Sequence, residues 1–227
     1  VFIEGEEAPS SPLPVKAHRV TVVPSLGPII ERIASQATAT SAVVDNQPIL
    51  STYILHLIGR GMRSDSTQVR IGDALVTPAS MRDDLLTVPL TSIPTAQLRA
   101  GVRLVQVVQS IDFGTTVEPH LAFESNAAAF MLAPRVTAAA FAAPAISVTV
   151  DPQVFTGQRL VLVLDESPLP IDRKPASFAF SAVAAADSTT PSVNVAGLAA
   201  GTYLVRLRVD GAESPIDATT PVTVMVP

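Results

Sequence analysis

The stretch Gly201-Thr202-Tyr203-Leu204-Val205-Arg206-Leu207-Arg208-Val209 decides the fold class. Arg206 and Arg208 fall on one face and Val205, Leu207 and Val209 on the other. That period of two belongs to a strand with one buried and one wet side. The same alternation runs through Tyr53 to Ile58, Gln68 to Ile71 and Val102 to Val108. Short Val, Ile, Leu and Thr runs are separated by Pro, Gly, Asp and Asn, at spacings of about 8–12 residues, as in antiparallel sandwiches. Helical periodicity is almost absent. The Ala-rich stretches Thr137 to Ala145 and Ser181 to Ala186 have helical propensity, but Pro144 and the embedded Phe and Val residues argue for strand.

Outward from this stretch, its opening repeats. Ala200-Gly201-Thr202-Tyr203-Leu204-Val205 matches Ala100-Gly101-Val102-Arg103-Leu104-Val105 at Ala, Gly, Leu and Val. Upstream of each copy lies another apolar strand, Ile54 to Ile58 in the first and Leu160 to Leu164 in the second. Between them come Leu85 to Val88 and Ser192 to Val195, respectively. One strand order used twice predicts two similar domains of roughly 100 residues each.

The expected architecture is all-β, with two tandem immunoglobulin-like β-sandwiches preceded by an N-terminal strand and a Pro-rich connector. Residues 1–19 hold the strand Val1 to Glu4 and the connector Ala8 to Pro14, whose prolines keep it extended. The first domain spans 20–134 and the second 135–227, divided near Pro134-Arg135, since Pro134 cannot extend a ladder. A strand is not stable alone. Residues 1–7 are therefore expected to belong to a sheet of a preceding domain, or to dock on the first sandwich, with the chain being a fragment or processed product. The first core is expected from Ile30, Ile33, Ile54, Leu57, Val69, Ile71, Leu86, Val88, Val105 and Val107. The second is expected from Val148, Val150, Leu160, Leu162, Phe178, Phe180, Val193, Val195, Val205, Leu207 and Val209.

Composition excludes several chemistries. Fifteen Lys and Arg against 20 Asp and Glu give a net charge of −5, which argues against nucleic acid because phosphate binding needs clustered cations. The chain has no Cys, so thiol catalysis, disulfides and Cys-based zinc sites are out. No Gly-x-Ser-x-Gly elbow, phosphate-cradling Gly-rich loop with Lys, or Asp-x-Asp-x-Asp-Gly calcium loop occurs. His18, His56 and His120 are scattered, and His56 reads as a satisfied or edge histidine. His120 with Glu124 and Asp112 would make a metal site only if their loop folded back. Asp83-Asp84 and Asp165-Glu166 read as solvated turn carboxylates. No catalytic residue, cofactor or metal is expected.

The remaining candidate is a docking loop, Asp112 to Glu124, with Ser125-Asn126 after it. Asp112, Phe113, Thr115, Glu118, His120, Phe123, Glu124 and Asn126 would form its surface. At about 13 residues it is long for a hairpin. It reads either as a sheet-crossing connection or as a docking surface for a neighbouring domain or subunit.

Two resemblances follow from quoted phrases. Pro28 to Ile33, then Tyr53 to Gly61, Val69-Arg70-Ile71-Gly72, Leu85 to Pro89 and Gly101 to Val107 resemble the IPT/TIG class of immunoglobulin-like domains. Met62 departs from that class by standing where an aromatic commonly follows the Gly turn. Leu98 to Val108, Phe113-Gly114-Thr115, Pro119 to Phe130 and Gly201 to Arg206 resemble the cap, or tail-terminator, family of contractile injection systems. That resemblance implies a noncatalytic extension decorating the distal end of a sheath-tube particle, with Val1 to Glu7 as the last strand of a terminator domain. Implied partners are sheath, tube and neighbouring cap subunits, hexameric only through the missing N-terminal domain. An indirect membrane or envelope anchor is a further implied partner. The isolated chain would be monomeric or weakly associating. The particle would sit in the bacterial cytoplasm, or outside the cell once released. The rival readings are an adhesion or carbohydrate-binding module of a secreted bacterial protein and an accessory domain of a larger enzyme. Residues encoded before Val1 would separate them.

Overall fold

The structure is a computed structural model that describes residues 27–45, 48–113 and 118–227, with side chains described outside 111–122. The expected strand and connector at residues 1–19 lie outside the described residues. In chain order the strands are β1 (Ile29–Gln36), β2 (Val43–Val44), β3 (Ile54–Arg60), β4 (Ser66–Ile71), β5 (Ala74–Val76), β6 (Ser80–Met81), β7 (Leu85–Pro89), β8 (Gly101–Phe113), β9 (Glu118–Glu124) and β10 (Ala128–Leu132). Then follow β11 (Arg135–Ala142), β12 (Ala145–Asp151), β13 (Arg159–Glu166), β14 (Ser177–Val183), β15 (Ser192–Asn194), β16 (Gly201–Val209), β17 (Ala212–Glu213) and β18 (Thr223–Val226). Among the described residues there is no α-helix; Thr137 to Ala142 lie in β11 and Ser181 to Val183 in β14, while Ala143-Pro144 form a turn and Ala184 to Ala186 follow the strand.

The sheets pair off into two sandwiches. In the first, β2-β1-β3-β7-β6 faces β10-β8-β4-β5, with β9 also on β8. In the second, β11-β12-β15 faces β14-β13-β16-β17, with β18 also on β16. No ladder among the described strands joins residues 29–132 to residues 135–226. All the ladders between these strands are antiparallel. Each pair of sheets closes on one apolar cluster. Leu55, Leu57, Leu86 and Val88 meet Val69, Ile71, Val105 and Val107 in the first. Ile146, Val148, Val150 and Val193 meet Leu160, Leu162, Leu164, Val205 and Leu207 in the second.

The reading of Gly201 to Val209 holds residue by residue. Tyr203, Val205, Leu207 and Val209 are buried, and Arg206 and Arg208 lie on the wetter face. Four expectations need correction. Ile54 is only half-buried, because β3 turns Leu55 and Leu57 inward; Ile54 and Leu57 are three apart and a strand cannot aim both at one core. Ile33, Phe178 and Phe180 pack on their cores but are only partly buried. Ile54 to Ile58 and Leu160 to Leu164 are not equivalent. β3 lies between β1 and β7, as β12 lies between β11 and β15, whereas β13 pairs directly with β16 as β4 pairs with β8. Both segments are apolar and alternating, so local pattern could not separate them.

The fourth correction concerns residues 112–124. They are no sheet-crossing loop. Residues 101–113 and 118–124 form a hairpin in which Val108 pairs with Glu124, Ile111 with His120 and Phe113 with Glu118. β4 covers β8 only as far as Ser110, so Ile111 to Phe113 and their partners run on as a two-stranded ribbon. Thr115 lies outside the described residues.

One structural device appears in both sandwiches. The Ser125 N–H donates to the Val107 carbonyl at 2.9 Å, and the Val107 N–H donates to Ser125 Oγ at 2.8 Å. In the second sandwich, the Ser214 N–H donates to the Leu207 carbonyl at 2.8 Å and the Leu207 N–H donates to Ser214 Oγ at 3.0 Å. A buried serine thus satisfies the same central backbone position of β8 and β16, at the point where the following strand breaks away. This repetition supports duplication more directly than the Ala-Gly match.

Candidate functional site

The expected docking residues do not form one cluster. Asp112 and Phe113 end β8, and Glu118, His120, Phe123 and Glu124 lie along β9. Glu124 is held by Arg70, whose Nη1 donates to its Oε1 at 3.0 Å across an exposed ion pair. Asn126 is structural: its Oδ1 accepts the Ile30 N–H at 2.8 Å and its Nδ2 donates to the Ile30 carbonyl at 3.0 Å. Of the expected surface, the β8–β9 ribbon is what projects. It projects at a definite end. Gln109 Nε2 donates to the Gly61 carbonyl at 2.7 Å, and Gly61 approaches Gly27, so the ribbon leaves the sandwich where the chain enters it.

The titratable residues are braced by neighbours. His56 is buried on β3 and shares a 3.1 Å hydrogen bond with Gln36 Oε1; burial holds its imidazole below the ordinary value. Asp165 and Glu166 are not the solvated turn pair expected from sequence, since both end β13. Burial pushes Asp165 up, but hydrogen bonds from Ser177 and Arg206 outweigh it and leave the carboxyl below the usual range. Glu166 is held down by Arg173 and by the Ala176 N–H. Asp217 accepts the hydroxyls and backbone N–H groups of Thr219 and Thr220, which hold it well below the usual carboxylate range. Asp84 pairs with Arg82. Among the described residues no three His, Cys, Asp or Glu side chains converge as a metal site. No helix among them is long and apolar enough to cross a membrane.

The most elaborate polar site is one that sequence gave no sign of: the junction between the sandwiches. Gln158 is buried, both of its amide hydrogens are donated and its amide oxygen accepts a backbone N–H. Its Oε1 accepts the Phe155 N–H at 2.9 Å. Its Nε2 donates to the Ala100 carbonyl at 3.0 Å and to Asp210 Oδ2 at 2.8 Å. Asp210 Oδ1 in turn accepts the Arg159 N–H at 2.9 Å. Arg99 lies 4.3 Å over the Phe155 ring, a cation–π contact from the first sandwich to the second. Ser51 Oγ donates to Asp151 Oδ2 on the other side of the seam. Ala100, from the first repeat phrase, packs into the second core. Gly101 has φ +113°, and a Cβ there would lie 3.2 Å from the Asp210 Cβ, so glycine serves both the turn and the close approach.

A buried amide with all its partners fixes position as well as contributing stability, because any displacement leaves a donor unpaired in a dry site. The chain also runs through the pair from end to end. It enters near Gly61, crosses at Leu132 to Arg135, and its last strand pairs Val226 with Gly201, at the end of β16 away from Asp210.

A family model described as a domain of unknown function, DUF8756, matches residues 127–226. The match takes in β10 and all of the second sandwich, somewhat less than half of the chain. No curated protein matches. Among solved structures the chain is similar to "Biofilm associated protein - BSP domain", at 16% identity and a TM-score of 0.24. That likeness covers 76% of this chain and 27% of the other, so the chain spans about a quarter of that protein's length.

Proposed function

We propose that this chain is a noncatalytic spacing and docking module. Two sandwiches clamped at a polar junction set distance and orientation between what precedes the first and what the second meets. The observation that carries this reading is the buried Gln158 amide, whose two N–H groups bridge Ala100 of one sandwich and Asp210 of the other. A flexible tether needs no such site. The passage of the described residues from Gly27, beside Gly61 in the first sandwich, to Val226, opposite Gly201 in the second, supports the same reading. The ribbon of β8 and β9 stands at the end where the chain enters, a natural position for contact with a preceding domain. The resemblance to cap proteins of contractile injection systems supplies the setting: the distal extension of a terminator ring, acting by surfaces and not by chemistry. That setting rests on the sequence phrases alone.

The test is an exchange at the native locus. Replacing residues 27–227 by a Gly/Ser linker of equal reach is expected to abolish the contribution of the region to assembly. Normal assembly with the flexible linker would sink the spacing role. Within the isolated chain, spin labels on L75C and M225C, both at exposed positions, are expected to give one narrow distance. Gln158→Ala should broaden it, and a broad distribution in the parent chain would overturn the clamp.

A further inference from the structure

Sheet edges are where a β-sandwich is open to partners, and most edges here are blunted. β2, β6 and β17 have two residues each, and β5 and β15 have three. β11 is long but carries a register shift between Val136 and Ala138 and packs against β18. β14 differs. It runs seven residues, Ser177-Phe178-Ala179-Phe180-Ser181-Ala182-Val183, with no charge, no proline and no break in its ladder with β13. Short strands, bulges, prolines and lysines are the usual protections of an edge, and β14 has none of them.

The parity of its backbone groups can be read off its ends. The Glu166 N–H donates to the Ala176 carbonyl, the Gly157 N–H to the Ala184 carbonyl, and the Ala184 N–H to the Gln158 carbonyl. Even-numbered residues therefore turn their amide groups toward β13. By alternation, Ser177, Ala179, Ser181 and Val183 turn theirs outward. Among the described residues no backbone group meets that outer edge. The side chains of these four are exposed, whereas Phe178, Phe180 and Ala182 lean on the core.

We propose that this edge pairs antiparallel with the same edge of a second copy of the chain, across a two-fold axis at Phe180. The sequence is self-complementary in that register. Ser177 faces Val183 of the other copy and Ala179 faces Ser181, so outward N–H and C=O groups meet outward groups along the whole strand. Phe180 meets its own counterpart as a non-hydrogen-bonded pair, the closer of the two pair types, adding an aromatic contact on the core face. No like charges come opposite one another within the strand. Just beyond it, Lys174 of one copy comes beside Ala186 and Asp187 of the other, so the flanks are of opposite sign. Two five-stranded sheets become one continuous sheet, and an isologous contact of this kind closes at two copies. The monomeric or weakly associating chain expected from sequence thereby becomes a reversible dimer.

The experiment is sedimentation velocity of the 227-residue chain over a concentration series, with edge variants. Ser181→Pro removes an outward N–H and no inward one, so the sandwich should keep its melting transition. It should weaken self-association at least about tenfold, because symmetry removes each lost bond twice. Should Ser181→Pro fail to fold, Ser181→Lys, with its charge on the exposed face, serves the same purpose. The register is read separately. In a cysteine-free chain, mixing A179C with S181C and oxidising mildly should give mainly the mixed disulfide, since only that pair faces directly across the axis. A monomer at every concentration, a dimer indifferent to both Ser181 variants, or predominant A179C homodimers would each overturn the proposal. So would a strand from a different protein binding this edge while the chain stays monomeric.

Discussion

The Asn126 carboxamide holds Ile30 by both backbone groups, accepting its N–H at 2.8 Å and donating to its carbonyl at 3.0 Å. The side chain imitates a neighbouring strand. Ile30 lies on β1, in one sheet of the first sandwich, and Asn126 lies between β9 and β10 of the other, so the amide stitches the two sheets at their rim. The stitch sits beside the register shift between Ile30 and Arg32, where the regular ladder of β1 is interrupted. Ser125, next in line, sends its hydroxyl to the Asn126 carbonyl at 2.8 Å and fixes the approach.

Asn126→Ala should therefore destabilise the first sandwich by about 2 kcal/mol, the cost of leaving a donor and an acceptor without partners. Urea unfolding checks this. A shift within error would mean that water replaces the amide at the rim.

The paired serines predict a separable effect. Ser125→Ala and Ser214→Ala should each cost about 1–2 kcal/mol, since each exposes a buried strand N–H to no acceptor. If the sandwiches unfold as separate units, each variant lowers only its own transition in calorimetry. A common shift of both transitions would mean that the Gln158 junction couples their unfolding.

Val105 and Val205 are both buried, facing their respective cores from β8 and β16. Val105→Asp and Val205→Asp bury a charge with no partner, at a cost comparable to or above the net stability of a small domain, about 5–15 kcal/mol. Loss of the cooperative transition in the affected sandwich is expected by calorimetry and near-UV dichroism. A variant that still melts cooperatively would place those residues on the wrong face.

His56 gives a pH dependence with a definite sign. Burial lowers its folded-state pKa, so between that value and the unfolded value of about 6.5 the unfolded chain binds the extra proton. The contribution is complete above the unfolded pKa and is lost as pH falls through it toward the folded one. Melting temperature should fall from pH 7.5 to pH 5.5 more steeply in the parent chain than in His56→Gln. Parallel profiles would show that the imidazole titrates normally.

Much of the core could be read locally. A strand's side chains alternate whatever its partner is, so Val69, Ile71, Leu86, Val88, Val105 and Val107, and in the second core Val148, Val150, Leu160, Leu162, Val193, Val195, Val205, Leu207 and Val209, could be assigned from neighbours two positions away. The failures share one cause. Ile54 and Leu57 are both apolar, but parity forbids both facing one core. Residues 112–124 read as a long loop from their own order, yet a hairpin is specified by the pairing of Ile111 with His120 and Phe113 with Glu118. The burial of Met62 in the first core had no counterpart in the alternation, since it follows the Gly turn and lies outside any strand.

The amino-acid order alone settled that the chain is built from strands, which face of Tyr203 to Val209 is dry, and that Gly101 and Gly201 open corresponding strands. Those properties depend on residues within a few positions of each other. Packing in three dimensions decided which strands are neighbours, that Asn126 meets Ile30 and Gln158 meets Ala100, and that β14 is left with an open edge. Each of these is a contact between distant segments or the lack of one. A period of two in side-chain polarity does not encode which backbone will lie alongside.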